Sequence, residues 1–358
     1  MAPDQLQALL AAGVKHGASD IHFRVGGPPT YRVRGGLAQL KYNTLTPTDT
    51  EDLARMMVRD PKILDKLPEL QEYDTSYSLP GVARFRVNVH RQRGSLSLVL
   101  RIIPSSVPTI ADLGLPPVLA QIASEERGLV LVTGATGSGK TSTLAAMIDH
   151  VNATRAVHIL TIEDPIEFLH KNKLASVTQR EIGLDTHSYQ VALRGALRMD
   201  PDVILVGEMR DAESIDIALK ASETGHMVFS TVHTTDASKT VGRLLSVFTP
   251  DEQAAVRQRL ADNLRATISQ RLLPRADGKG RAVALEIMIV TGMITELLRD
   301  PKGGSLKDTI EKGRTQYNMQ SFDQHLSDLF HAQVITLETA LAAATNRADF
   351  ERALHFSM

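Results

Sequence analysis

The chain has 358 residues, with Lys+Arg 40 against Asp+Glu 41 and no cysteine. At about 150 residues per domain that length holds two domains and an appended piece, and a hydrophobic share of 42% excludes a largely disordered chain. The near-zero net charge advertises no nucleic-acid partner, and the lack of cysteine excludes disulfides, thiol catalysis and cysteine-bound zinc while fitting a reducing compartment.

No apolar run approaches the ~18 residues that span a bilayer, and the N-terminus lacks a basic segment followed by an apolar one. The expectation is a soluble cytoplasmic protein with no transmembrane segment. Leu6, Leu9, Leu10 and Val14 predict an amphipathic helix over 4–16, closed by Gly17. Alternation of Ile21, Phe23 and Val25, then Tyr31 and Val33, predicts strands broken by 26–29 and 35–36. Thr46-Pro47 starts a second helix, with Leu53, Met56 and Met57 as its buried stripe. Two further strands put Phe85, Val87 and Val89, then Leu96, Leu98, Leu100 and Ile102, on an apolar face. Arg84, Arg86, Asn88, His90 and Arg101 point the other way. Residues 1–103 thus read as a small α+β domain with an arginine-rich sheet face, which pattern alone leaves open between a solvated face and a functional one. Prolines 104, 108, 116 and 117 mark 104–117 as a linker.

The run 128–133 is a strand, followed by Gly134-Ala135-Thr136-Gly137-Ser138-Gly139-Lys140-Thr141 and a helical stretch opening at Ser142. This is GxxxxGKT in strand–loop–helix context. Glycines let successive N–H groups converge on phosphate oxygens, and the helix dipole favours the anion. Residues 134–142 are therefore the nucleotide-binding set, with Lys140 on the β- and γ-phosphates of ATP and Thr141 on Mg²⁺. Hydrolysis needs more: a group that orients water, a metal-side carboxylate and positive charge. A strand over 157–162 ends in Glu163, the candidate for activating water, and a strand over 203–206 is followed by Gly207-Glu208, where Glu208 would hold Mg²⁺ through water. Thr141, Glu208 and Glu163 make up the metal-side set; helix capping is the competing reading of either carboxylate. His226 and His233 bracket a strand over 227–232. Position favours His233, at the C-terminal end, as a phosphate sensor, and His226 as structural; no third ligand at metal spacing supports zinc. Arg194 and Arg198, four apart on a helix predicted over 189–199, share a face. With Arg86 and Arg101 they are candidates for supplying charge to the γ-phosphate. Helices over 292–299, 320–331 and 336–345 complete the chain.

Taken together, Ser19-Asp20-Ile21-His22, the P-loop at 134–141, Thr161-Ile162-Glu163-Asp164-Pro165-Ile166-Glu167, the segment 200–211 and the histidine segment 225–236 make the chain resemble the secretion ATPase superfamily, in its pilus-retraction branch. The resemblance covers nearly the whole length. It implies an α/β protein: a PAS-like domain over 1–103, a RecA-like P-loop ATPase core over 118–290 and a C-terminal helical portion over 291–358, assembled as a homo-hexamer. It implies that Glu163, Glu208, His226, His233, Arg86, Arg101, Arg194 and Arg198 complete the site. It further implies a cytoplasmic motor held at the inner membrane by a pilus platform protein, with a second retraction ATPase as a further partner. Absence of a tetracysteine motif points to retraction rather than extension. Where the branch carries Ala-Ile-Arg, this chain has Met293-Ile294-Thr295, which leaves an accessory retraction motor as an alternative. A RecA-like nucleic-acid motor is the rival from another class, disfavoured by neutral charge and 4% aromatic residues.

Overall fold

A computed structural model describes residues 1–104 and 106–356; Ser105, within the expected linker, and residues 357–358 lie outside the described residues. The chain is α/β and divides into two compact units, Met1–Ser106 with Pro165–Leu169, and Val107–Asp164 with His170–Met358.

The first unit is built on a six-stranded sheet of β1 (Ala18–Phe23), β2 (Thr30–Val33), β3 (Gly36–Gln39), β4 (Glu72–Leu79), β5 (Ala83–Gln92) and β6 (Ser95–Ile103), in the order β3-β2-β1-β6-β5-β4. All neighbours are antiparallel. Strand periodicity places Phe23, Phe85, Val87, Val89 and Leu98 in one core with Leu6 and Leu10 of helix Pro3–Lys15 and Leu53 and Met57 of helix Pro47–Met57. Thr46 caps that second helix in a reciprocal box. Its hydroxyl accepts the Asp49 N–H at 3.2 Å while the Asp49 carboxylate accepts the Thr46 N–H at 2.8 Å. Strands β3 and β4 carry no apolar alternation that marks them in sequence; β3 is exposed at all four positions and is recruited by its turn with β2.

The second unit holds a seven-stranded sheet: β7 (Gly128–Thr133), β8 (His158–Glu163), β9 (Ser176–Glu181), β10 (Val203–Val206), β11 (Met227–Val232), β12 (Leu264–Pro274) and β13 (Arg281–Ile289). Its order is β13-β12-β7-β11-β10-β8-β9, parallel throughout except for the β12–β13 hairpin. Fully buried apolar runs such as Leu129–Val132 are what a parallel sheet covered on both faces requires. One face packs on helix Lys140–Thr154 and helix Val118–Ala123, the other on helices Tyr189–Ala196, Ala212–Glu223 and Ala237–Ser246. Helices Phe322–His331 and Leu337–Ala343 close over β12 and β13 through Phe322, Leu326 and Ala340.

Strands β9, β12 and β13 are not apparent in the sequence reading. The stretch marked there as a linker is partly packed: Leu115 is buried in the second unit's core, with Ile110 and Leu113 against it. The helix predicted over 189–199 ends at Ala196, and Asp200 takes a left-handed φ of 53° before the turn into β10.

Candidate nucleotide site

Parallel strands deliver their following loops to one edge of a sheet, and four of the sequence-predicted groups meet there. The P-loop follows β7, Glu163 ends β8, Glu208 follows β10 and His233 follows β11. Strand β11 lies between β7 and β10, so Glu208 stands two strands from the P-loop strand and Glu163 three. That last separation is roughly 14 Å at about 4.8 Å per strand.

The loop is shaped for close backbone approach. Gly134, Gly137 and Gly139 have φ of 147°, 77° and 92°, a region costly for any residue with a Cβ. At Gly134 a Cβ would sit 2.5 Å from Ser138 Oγ and 2.6 Å from the Gln270 carbonyl, so side chain and strand together leave no room for one. Lys140 opens the helix Lys140–Thr154 and donates through Nζ to the carbonyls of Gly134 at 2.9 Å and Ala135 at 3.0 Å. Burial pushes its pKa down and the Glu208 carboxylate opposes that shift. Thr141 is exposed in the helix's first turn and Ser142 is half-buried. Gln270 Nε2 donates to the Ser138 carbonyl at 2.7 Å, while Ser138 Oγ and Gln270 Oε1 are buried without a hydrogen-bond partner. A cavity of about 350 Å³ opens above the loop, lined by residues 134–138, Thr235, Gln270, Leu272, Arg271 and Arg281. Orphaned polar atoms, a dipole-bearing helix start and cationic walls fit an anionic phosphate chain.

The carboxylate side is equally ordered. Glu163 is 8% exposed, and its Oε1 accepts from Thr161 Oγ1 at 2.7 Å and Gln179 Nε2 at 3.0 Å. Glu208 Oε1 faces Arg210 at 2.5 Å and its Oε2 faces His233 Nε2 at 3.4 Å. Two cation-capable neighbours already on Glu208 suit a ligand that reaches Mg²⁺ through water. The Thr231 hydroxyl donates to the Gly207 carbonyl at 2.6 Å, tying the end of β11 to the turn that carries Glu208.

His226 is not brought to this edge. It precedes β11 at the opposite edge of the sheet, where Nδ1 meets the Ala221 carbonyl at 2.9 Å and Thr224 Oγ1 at 3.2 Å, so within the chain it ties down the end of helix Ala212–Glu223. Both histidines lie just outside the strand Met227–Val232, at its opposite ends. Arg194 pairs with Glu213. Arg198 lies beyond the shortened helix and donates to the Arg194 carbonyl at 3.2 Å. In the first unit Arg86 and Arg101 are directly opposed across β5 and β6. Arg86 meets Glu167 at 3.5 Å and Arg101 meets Asp20 at 3.0 Å. Burial raises the Asp20 pKa, but hydrogen bonds from Ser19 and Arg101 outweigh it and hold the carboxyl below its ordinary range.

Three residues were missed in the sequence. Gln179 and the buried Glu181 enter because the β8–β9 register sets them beside Thr161 and Glu163; a polar six-residue edge strand gives no signal of that kind. Tyr189 enters from the start of its helix. Its hydroxyl would stand 2.8 Å from a Cβ on Gly207, and burial, then the charges of Asp164, Glu208 and Glu163, push its pKa up.

A protein-family model described as "Type II/IV secretion system protein" matches residues 3–357. The chain is 46% identical over 342 residues to a Pseudomonas aeruginosa protein described as "Type IV pilus retractation ATPase PilT", covering 96% of this chain and 98% of that one. It is 38% identical over 345 residues to a "Type IV pilus ATPase PilU" of the same organism, covering 96% and 90%. A solved structure, "Crystal Structure of the Pilus Retraction Motor PilT and Bound ADP", superposes with a TM-score of 0.87 at 43% identity, covering 97% and 99%. A match that runs across both units and every motif gathered at the sheet edge makes this chain a member of the type II/IV secretion system protein family.

Proposed function

We propose that this chain hydrolyses ATP to drive type IV pilus retraction. The carrying observation is the convergence of a glycine-shaped P-loop with Glu208, His233 and Glu163 on one sheet edge, in a chain 46% identical to a protein described as a pilus retraction ATPase. In this reading residues 134–142 cradle the phosphates, and Lys140 exchanges its two carbonyl partners for β- and γ-phosphate oxygens. Thr141 and Glu208 hold Mg²⁺, with Glu163 facing the metal side. Mg²⁺ held there would supply positive charge to the phosphate chain. Glu163 orients the attacking water and takes its proton, and His233 links Glu208 to the γ-phosphate position. The first unit is a PAS-like domain over 1–103, joined through 104–117 to a RecA-like core over 118–290, with 291–358 as a helical closure. Arg86, Arg101, Arg194 and Arg198 supply charge on assembly into a homo-hexamer, since their partners within the chain are the carboxylates and carbonyl given above. His226 acts from the far end of β11 as an anchor rather than at the phosphate. The motor works at the cytoplasmic side of the inner membrane against a pilus platform protein.

An accessory retraction motor that works with a second retraction ATPase is the alternative, favoured by one observation. Thr295, half-buried in the helix Gly292–Arg299, stands where the branch carries arginine, beside the exposed Met293. Among the described residues no helix is long and apolar enough to cross a membrane.

The test is ATP hydrolysis per chain across a dilution series, with particle mass read at each point. Specific activity should rise as a species of about 235 kDa, six times the 39.1 kDa chain, forms. Monomers that hydrolyse ATP as fast would overturn completion of the site in trans. Stimulation by single-stranded DNA that is lost at high salt would favour the nucleic-acid motor instead.

A further inference from the structure

We propose that Gln179 is a positioning residue for the hydrolytic glutamate, aiming the Glu163 carboxylate at the attacking water; this rests on the reading of Glu163 as the group that orients water. The parallel register of β8 and β9 pairs Thr161 with Gln179 and Glu163 with Glu181. Side chains two apart on a strand share a face, so Thr161, Glu163, Gln179 and Glu181 stand together. Two donors, Thr161 Oγ1 at 2.7 Å and Gln179 Nε2 at 3.0 Å, converge on one oxygen, Glu163 Oε1. The other end of the same amide is also engaged: Gln179 Oε1 accepts the His170 backbone N–H at 2.9 Å. That double engagement decides the amide's orientation. Flipped, it would set an oxygen against the carboxylate and an NH₂ group against an N–H.

The placement along the chain adds a second reason. Residues Pro165–Leu169 leave the second unit and group with the first. Gln179 therefore holds the carboxylate one residue before Asp164, where the chain departs, and the backbone at His170, where it returns. A single side chain on the edge strand β9 grips both sides of that excursion.

The experiment uses the full chain, comparing E163Q, Q179M, Q179E and T161V by kcat and KM for ATP, with thermal melting alongside. The Gln179→Met change keeps the length and removes both polar ends; Gln179→Glu keeps the acceptor for His170 and loses the donor to Glu163. Expected for both is a kcat lowered about tenfold with KM within about twofold, the split that misplacement of a hydrolytic group gives. Thr161→Val removes the other donor without touching His170 and should lower kcat in the same way. If Gln179→Met melts early, Gln179→Glu and Thr161→Val carry the test. A kcat unchanged in Thr161→Val and in every folded Gln179 variant, while E163Q is inactive, overturns this inference and leaves Glu163 in place. Wild-type kcat in Gln179→Glu overturns it as well, by showing that the His170 contact alone matters. A fully active E163Q would remove the Glu163 reading itself, and the inference with it.

Discussion

The two edges of the parallel sheet are made by the same strands and are opposite in character. At the edge where the strands begin, polar groups are satisfied by the chain. His226 Nδ1 meets the Ala221 carbonyl, His158 spans the Asp200 carbonyl and the Thr178 hydroxyl, and Asp202 accepts the His158 N–H at 2.8 Å. At the edge where they end, Ser138 Oγ and Gln270 Oε1 are buried without partners. Lys140 Nζ there donates to two carbonyls of its own loop. Leaving a buried polar atom unsatisfied costs about 1–3 kcal/mol, so the orphaned pair beside the P-loop marks this edge as one that meets a ligand. The pair His226 and His233, seven apart in sequence, shows that residue type does not decide this; the end of the strand does.

The strongest way to break the comparison is to change Lys140. Lys140→Ala should abolish tight ATP binding and hydrolysis, read by titration of a fluorescent ATP analogue; unchanged affinity would mean that the anion site lies elsewhere. Next comes Glu163→Gln, expected to keep nucleotide bound while turnover falls at least ~100-fold. Single-turnover hydrolysis at a normal rate would remove Glu163 from the chemistry.

The histidine pair sharpens the comparison directly. His233→Ala should lower turnover by about tenfold to a hundredfold with little change in melting. His226→Ala should cost about 1 kcal/mol of stability through its lost hydrogen bond, with turnover per assembled particle retained. The reverse pattern, with His226→Ala inactive yet stable and assembled, would show that the far edge takes part in the site of another subunit.

The smallest effects concern two buried titratable groups outside the sequence-predicted site residues. His325 accepts the Leu285 N–H through Nδ1 at 2.9 Å, and burial holds its pKa below 6.5. The unfolded chain then binds the proton more readily, so this contribution is complete above about pH 6.5 and is lost as pH falls toward the folded value. Melting of the C-terminal helices should steepen with acid, and His325→Gln should flatten that dependence. Glu286 has the opposite sign. It accepts the Ala237 N–H at 2.8 Å, but burial, reinforced by Asp236, raises its pKa despite that bond. Its folded state is favoured below about pH 4.5 and penalised as pH rises through the folded value. Glu286→Gln keeps an acceptor for Ala237 and should raise the melting temperature at pH 8 and not at pH 4. An equal rise at both would assign the gain to packing.

What could be read from the sequence was local. GxxxxGKT between an apolar run and a helix declares its own geometry, because the glycine φ values and the helix dipole belong to one continuous stretch. Thr46-Pro47 declared a helix start, since the capping box closes within four residues. Apolar periodicity marked β5, β6, β7, β10 and β11, each with a core to face. Strands β3, β4 and β9 are polar and exposed in part and take their place only by pairing, so their pattern carries no period that a sequence reading detects.

The sequence by itself determined a P-loop protein with strand-end carboxylates and two units, since each of those features rests on neighbours in the chain. The tertiary structure alone decided which carboxylates, histidines and arginines meet. It inserted β11 between β7 and β10, sent His226 to the far edge, ended the helix before Arg198 and set Gln179 beside Glu163. Those outcomes depend on strand order and register, which are fixed by packing among residues distant in the chain, and no local spacing encodes them.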